Sequence, residues 1–233
     1  MAVIGLGGVG AWAAEALARS GVARLVLIDL DHIAESNINR QVQALGRTLG
    51  QHKGQALRER IGDIHPGCDV QVVDAFVDAD NWPAVLPEPV DVVLDACDQV
   101  RAKAAMAAWA LREARPLVCV GAAGGKRRAQ DVAVADLAEV SHDPLLASLR
   151  QRLRRHAGAA RQGRIGLRCV YSREAVAAPP ARAAAQAPGS RDGTIDSGLN
   201  CHGYGSSVMV TASFGMVAAG EAAAWAIGAA TAS

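Results

Sequence analysis

Short apolar runs recur through the first part of the chain: "AVIG", "RLVLID", "DVQVVDA", "DVVLDA", "PLVCVGAA" and "DVAVAD". Between them lie stretches with apolar residues at helical spacing, from about Gly8 to Ser20, Lys53 to Ile64 and Arg101 to Ala114. Brief β-rich runs bounded by turn formers predict strands, and apolar positions three and four apart predict a helix face. The runs "LVLI" and "VVL" lack polar alternation, as strands covered on both faces do. Strands alternating with helices at this spacing make right-handed βαβ units, so the pattern predicts an α/β fold with a mostly parallel central sheet.

After Asp136 the pattern changes. An arginine-rich stretch predicts a basic helix, and "AVAAPPARAAAQAPGSRDGTIDSG" is too rich in Ala, Pro, Gly and Ser to bury much, which predicts a mobile loop over about 174–198. From Gly203 to Ala230 the chain is apolar and rich in small residues, which predicts a helix close to the core or to a second copy of the chain. It is long enough to span a bilayer, but Glu221, the glycines and the hydroxyl residues make it weakly hydrophobic, and no stable membrane insertion is expected. Residues 1–136 are expected to form the core, and 137–233 to complete the same domain with the basic helix, the loop and the last helix.

The first turn carries candidate chemistry. Gly5, Gly7, Gly8 and Gly10 write G-x-G-G-x-G between a strand and a helix, where missing side chains let the backbone approach a phosphate and the helix N-terminus attracts its charge. Asp29 closes the second strand, where a carboxylate accepts hydrogen bonds from ribose hydroxyls. This Rossmann-like arrangement suits NAD and ATP equally. The residues that follow separate the two: Asp31, Asn37, Asn39, Arg40, Gln41 and Lys53 form a polar set that an ATP user needs and a dehydrogenase does not. Arg40 and Lys53 are cations for a triphosphate and for the charge on departing pyrophosphate. Asp95 and Asp98, at the carboxyl end of a parallel strand, are expected to face the ligand crevice, where a carboxylate can hold magnesium between phosphates.

Taken in this order, G-x-G-G-x-G, "LIDLD", "SNINRQ", the lysine a dozen residues later and "DACDQVRAK" resemble the ThiF/MoeB-like superfamily, bacterial relatives of ubiquitin-activating enzymes that adenylate carboxylates. The resemblance implies an ATP site made of Gly7, Asp29, Arg40, Lys53 and Asp98. Arg40, Lys53 and Asp98 would be the catalytic set, with Asp98 on Mg2+. Gly5, Gly8, Gly10, Asp31, Asn39 and Gln41 would complete the ATP-binding set.

Charge and cysteine content narrow the substrate. The 24 basic and 23 acidic residues nearly cancel, so a nucleic-acid surface has to be local. Between Asp143 and Glu174 there are eight arginines and no acid, a block that reads as a footprint for a phosphate backbone. Arg150, Arg152, Arg154 and Arg155 are its candidate RNA contacts, and Lys126, Arg127 and Arg128 are read as extending it. None of the five cysteines forms a C-x-x-C pair, whereas family members that activate ubiquitin-like sulphur carriers usually carry a four-cysteine zinc site. Cys169 and Cys201 are read as small buried residues, the six histidines show no metal-ligand spacing, and the cysteine usage points to the reducing cytoplasm.

The segments "GAAGGKRRAQDVAVADLAEVSHDPLLASLRQRLRR", "GLRCVYSREAV" and "NCHGYGSSVMVTASFG" are similar to the tRNA threonylcarbamoyladenosine dehydratase subfamily. That similarity implies ATP-dependent cyclodehydration of a modified adenosine in the tRNA anticodon loop, a homodimer, and a cysteine desulfurase or sulphur-acceptor system as a further partner. The alternatives are a ThiF/MoeB-like adenylyltransferase acting on a ubiquitin-like sulphur carrier, and a nucleotide-binding module without activity. The last is motivated by the first strand. Family members have a helix ahead of it, whereas only "AVI" precedes Gly5, so poor pairing there and a loose glycine turn are expected.

Overall fold

The computed structural model of the protein describes residues 1–177 and 205–231. In chain order the elements are β1 (Ala2–Ile4), α1 (Gly10–Arg19), β2 (Arg24–Ile28), α2 (Lys53–Ile64), β3 (Asp69–Val73) and β4 (Val93–Asp95). They continue with α3 (Val100–Arg112), β5 (Leu117–Val120), β6 (Val132–Asp136), α4 (Pro144–His156), β7 (Arg168–Ser172) and α5 (Val208–Thr231). The strands form one seven-stranded sheet in the order β3-β2-β1-β4-β5-β7-β6. It is parallel apart from β6, which runs against β7 at the edge. The expected α/β architecture with a mostly parallel sheet and a C-terminal helix is the one observed. Strand β7 is not among the elements the sequence pattern predicts; it inserts between β5 and β6.

The missing polar alternation has its cause in the two cores. Val3, Leu25, Leu27, Leu94, Val118 and Val170 meet α1, α2 and α5 on one face. Ala2, Ile4, Val26, Val93, Leu117 and Cys119 meet α3 and α4 on the other. Successive strand residues thus alternate between two buried faces, and both must be apolar.

The short β1 is not loose. It lies at the centre of the sheet, bonded to β2 on one side and β4 on the other, with Ala2, Val3 and Ile4 all at 2% exposure or less. The amide of Val26 donates to the Met1 carbonyl at 2.9 Å, and that of Ala2 to Val92 at 3.0 Å. Two bonded edges compensate for three residues of length, which corrects the expectation of a poorly held glycine turn. Helix α5 presses against α1 so closely that a Cβ on Gly215 would stand 2.7 Å from the Val9 carbonyl oxygen. Small residues in this segment therefore do bring helices together. The expected loop falls, from residue 178 to 198, outside the described residues, as does Cys201.

Candidate active site

The strand order reverses between β1 and β4, because β1 leads outward to β2 and β3 while the chain returns to β4 on the opposite side. A crevice opens at the carboxyl ends of strands at such a point. Here its volume is about 270 Å³. The glycine turn forms its floor. Gly10 closes on Gly5, whose carbonyl oxygen would be 1.8 Å from any Cβ at residue 10, and Gly5 takes a φ of +83° against the backbone of Ala96 and Cys97. Gly7 has nothing within 4 Å of its Cβ direction and faces the open crevice at the start of α1, and a helix N-terminus of this kind suits a phosphate.

Most of the polar residues expected in this region line the crevice together: Asp29, Asp31, Arg40, Gln41, Lys53 and Asp98, with Asn37. The Asp29 carboxylate is oriented by two amides, Leu6 N–H at 2.6 Å and Asp31 N–H at 2.8 Å. One oxygen therefore ties the end of β2 to the glycine turn, and the remaining lone pairs suit sugar hydroxyls. Arg40 lays its stem over Gly8 and donates from Nη1 to Ser36 O at 2.7 Å and Asn39 Oδ1 at 3.0 Å. Its carbonyl accepts from Trp12 Nε1 at 3.0 Å, which fixes the turn to α1. Lys53, the first residue of α2, is buried, with Nζ 2.6 Å from Asp31 Oδ2. Asn39 is not on the crevice wall; its amide donates to Ser206 O at 3.0 Å and anchors the segment leading into α5.

The two acids at the end of β4 part company. Asp98 is half-buried on the crevice wall, a hard oxygen donor of the kind magnesium takes. Asp95 is not there: its carboxylate is fully buried and receives Lys103 Nζ at 2.8 Å, the Cys97 amide at 3.1 Å and the Cys97 thiol at 2.9 Å. Burial opposes the charge on Lys103, yet the Asp95 carboxylate outweighs it and holds the ammonium well above the usual lysine pKa. Burial, reinforced by Asp95, pushes the Cys97 thiol up, and burial with a hydrogen bond to Cys169 does the same for Cys119. Both thiols stay protonated and are poor nucleophiles.

Residues that the sequence pattern does not single out complete the site. Gln43, 1% exposed, donates to the Leu6 carbonyl at 2.9 Å and braces the glycine turn. Ala75, Phe76 and Val77, beyond β3, form an apolar wall, and Ser206 and Thr211 bring the start of α5 to the rim. These come from distant segments with no local motif, so only the topology assembles them.

The arginine block divides. On α4, Leu145, Leu146, Leu149 and Leu153 are buried, which turns Arg152 and Arg155 to solvent. Arg150 is half-buried and donates to the carbonyls of Leu137 and Val140, both at 2.9 Å, and Arg154 donates from Nε to Ala160 O at 3.0 Å. Lys126 does not extend a basic surface. It is 2% exposed, with Nζ bonded to the carbonyls of His142 and Glu174, and burial lowers its pKa.

Comparison with known proteins agrees with this geometry. The family model described as ThiF family matches residues 1–232. The tRNA threonylcarbamoyladenosine dehydratase of Escherichia coli is 42% identical over 229 residues, covering 94% of this chain and 83% of that protein. That of Haemophilus influenzae is 36% identical, covering 93% and 81%. A crystal structure of the E. coli enzyme, TcdA, in complex with ATP superposes with a TM-score of 0.85 at 39% identity, covering 99% of this chain and 86% of that one. The molybdopterin-synthase adenylyltransferase of E. coli is 36% identical over only half of this chain. The likeness to the dehydratases thus takes in the arginine helix, β7 and α5 as well as the glycine turn, and the chain belongs to the ThiF family, among its tRNA threonylcarbamoyladenosine dehydratases.

Proposed function

We propose that this protein uses ATP to remove water from threonylcarbamoyladenosine in the tRNA anticodon loop, by adenylating the modification's own carboxylate. The observation that carries the reading is Lys53: a buried ammonium on the crevice wall whose side-chain partner, Asp31, remains half open to solvent. An incoming triphosphate can take the place of that carboxylate.

The amides at the start of α1 receive phosphate oxygens and Asp29 takes the ribose hydroxyls. The wall of Ala75, Phe76 and Val77 offers the base an apolar surface. Asp98 would hold magnesium, which supplies charge neutralisation between phosphate oxygens. Arg40 and Lys53 stabilise the charge that builds on pyrophosphate as it leaves. The substrate carboxylate attacks the α-phosphorus and the bond to pyrophosphate breaks. The ureido group of the same side chain then attacks the activated carbon, a proton is lost, and AMP departs with the former carboxylate oxygen. The net loss is one water. Closure within one side chain has effective molarities of about 10⁵ M and above in favourable cases, so no enzymic nucleophile is needed, and the protonated thiols of Cys97 and Cys119 fit that economy.

We extend the proposal to the surroundings of the site. Arg152 and Arg155, with Arg154 beside them, are the phosphate-backbone contacts for tRNA, while Arg150 ties the middle of α4 to the segment that follows β6. Helix α5 meets the length and hydropathy of a membrane span, but Val210, Phe214, Ala218, Ala219 and Ala222 are buried against α1 and the sheet. It is a core helix of a cytoplasmic protein in this reading, and its outward Met209, Met216, Trp225 and Ile227 suit a second copy of the chain. Incubation with ATP and threonylcarbamoylated tRNA should yield a nucleoside lighter by one water together with AMP. An unchanged nucleoside, or ADP in place of AMP, would overturn the proposal.

A further inference from the structure

His52, which precedes Lys53, is engaged at both ring nitrogens. Nδ1 lies 3.2 Å from the amide nitrogen of Gly54, a donor, so Nδ1 is an acceptor. Nε2 lies 2.9 Å from the Asp29 carbonyl oxygen and 3.2 Å from the Asp74 carboxylate, both acceptors, so Nε2 carries the proton. Together the contacts define one neutral tautomer. The ring is also held sterically. Its side chain is 15% exposed, and His32 stands edge-on with ring centroids 5.6 Å apart. A Cβ at residue 54 would meet the ring at 3.2 Å and Val72 Cγ1 at 2.6 Å, so the close approach requires Gly54.

The two ends of this bridge are the two halves of the crevice. Asp29 holds the glycine turn through the Leu6 amide, and α2, which His52 caps, begins with Lys53. We infer that His52 is a positioning residue: its neutral ring fixes Lys53 relative to the glycine turn, so that the ammonium meets the phosphates in the transition state. This rests on the reading of the crevice as an ATP site. The titratable side chains against the ring are Asp74 beyond β3 and His32 beyond β2, and Asp29 meets it through its backbone carbonyl.

Two substitutions separate positioning from capping. His52→Asn keeps an acceptor for the Gly54 amide, as asparagine does at helix N-termini, but is too short to reach the Asp29 carbonyl; His52→Ala loses both. His52→Asn is expected to melt close to the wild type and to bind ATP as tightly. Its kcat should fall by roughly 10- to 100-fold, because small misplacements of a charge-stabilising group cost that much. Wild-type turnover in His52→Asn, or a loss of thermal stability alone, would reduce His52 to a helix cap. Nitrogen-15 NMR of the imidazole in the protein reads the tautomer whether or not the protein turns over: protonation at Nε2 alone is expected, and a proton on Nδ1 overturns the inference. Calorimetric titration of the wild type with ATP tests the crevice reading by itself.

Discussion

Lys53 and Lys103 are two of the three lysines in the chain, both buried and both paired with an aspartate, at 2.6 and 2.8 Å. Distance does not tell them apart; the partner does. Asp95 and Lys103 are both 0% exposed, whereas Lys53 is 7% exposed against 53% for Asp31. In the closed pair both charges have left water, their attraction offsets that cost, and removing one leaves the other uncompensated. In the open pair water screens the attraction, so the carboxylate yields readily to a more highly charged phosphate. The first pair builds the wall that carries Asp98, and the second is available for chemistry.

The comparison is broken most easily at the closed pair. Lys103→Ala should destabilise the protein by about 3–5 kcal/mol, the cost of an orphaned buried charge, as measured by urea unfolding. Replacing both partners, Asp95→Leu with Lys103→Met, should recover much of that loss. A single substitution costing no more than about 1 kcal/mol, the range of an exposed pair, would erase the distinction.

At the open pair the effect should move from stability to rate. Lys53→Ala should lower kcat by about 10²- to 10³-fold, as removal of one preorganised donor to a developing charge does, a much larger effect than its weakening of ATP binding, with unfolding little changed. Near-normal turnover would remove Lys53 from the mechanism. The smallest effect is expected at the arginines of α4, where Arg152 and Arg155 stand in solvent rather than against a buried carboxylate. Replacing Arg152, Arg154 and Arg155 together should flatten the salt dependence of tRNA affinity by roughly 0.9 in log–log slope for each phosphate that is no longer neutralised. ATP affinity should stay the same, and an unchanged slope would make these residues a solvated helix face.

The first half of the molecule is legible in the sequence because its signals are local: strand, glycine turn, helix and acid follow one another in order, and the crevice gathers Gly7, Asp29, Arg40, Lys53 and Asp98. Asp95 departs from its expected place for a physical reason. A residue at the end of a strand can point either way, and burial toward α3 is favoured only because Lys103 stands ready eight residues later. A lysine kept inside an alanine-rich helix of a lysine-poor chain is the signal that points to it. Strand β7 escapes the pattern because "RCVYS" is a short apolar core between two polar ends, and its place depends on pairing with β5, whose partner residues lie 50 positions earlier. Lys126 resembles part of the basic block because sequence shows charge and not burial. The role of His52 needs distances, since its partners at Asp29 and Asp74 lie on two other strand ends.

The central claim is that the substrate's carboxylate attacks the α-phosphorus within this crevice, and the fate of that carboxylate's oxygen tests it most directly. Threonylcarbamoylated tRNA carrying oxygen-18 in the threonyl carboxylate, turned over once with ATP, should deliver a single labelled oxygen to AMP and none to pyrophosphate. Label in inorganic phosphate, or unlabelled AMP beside a dehydrated nucleoside, would contradict the account.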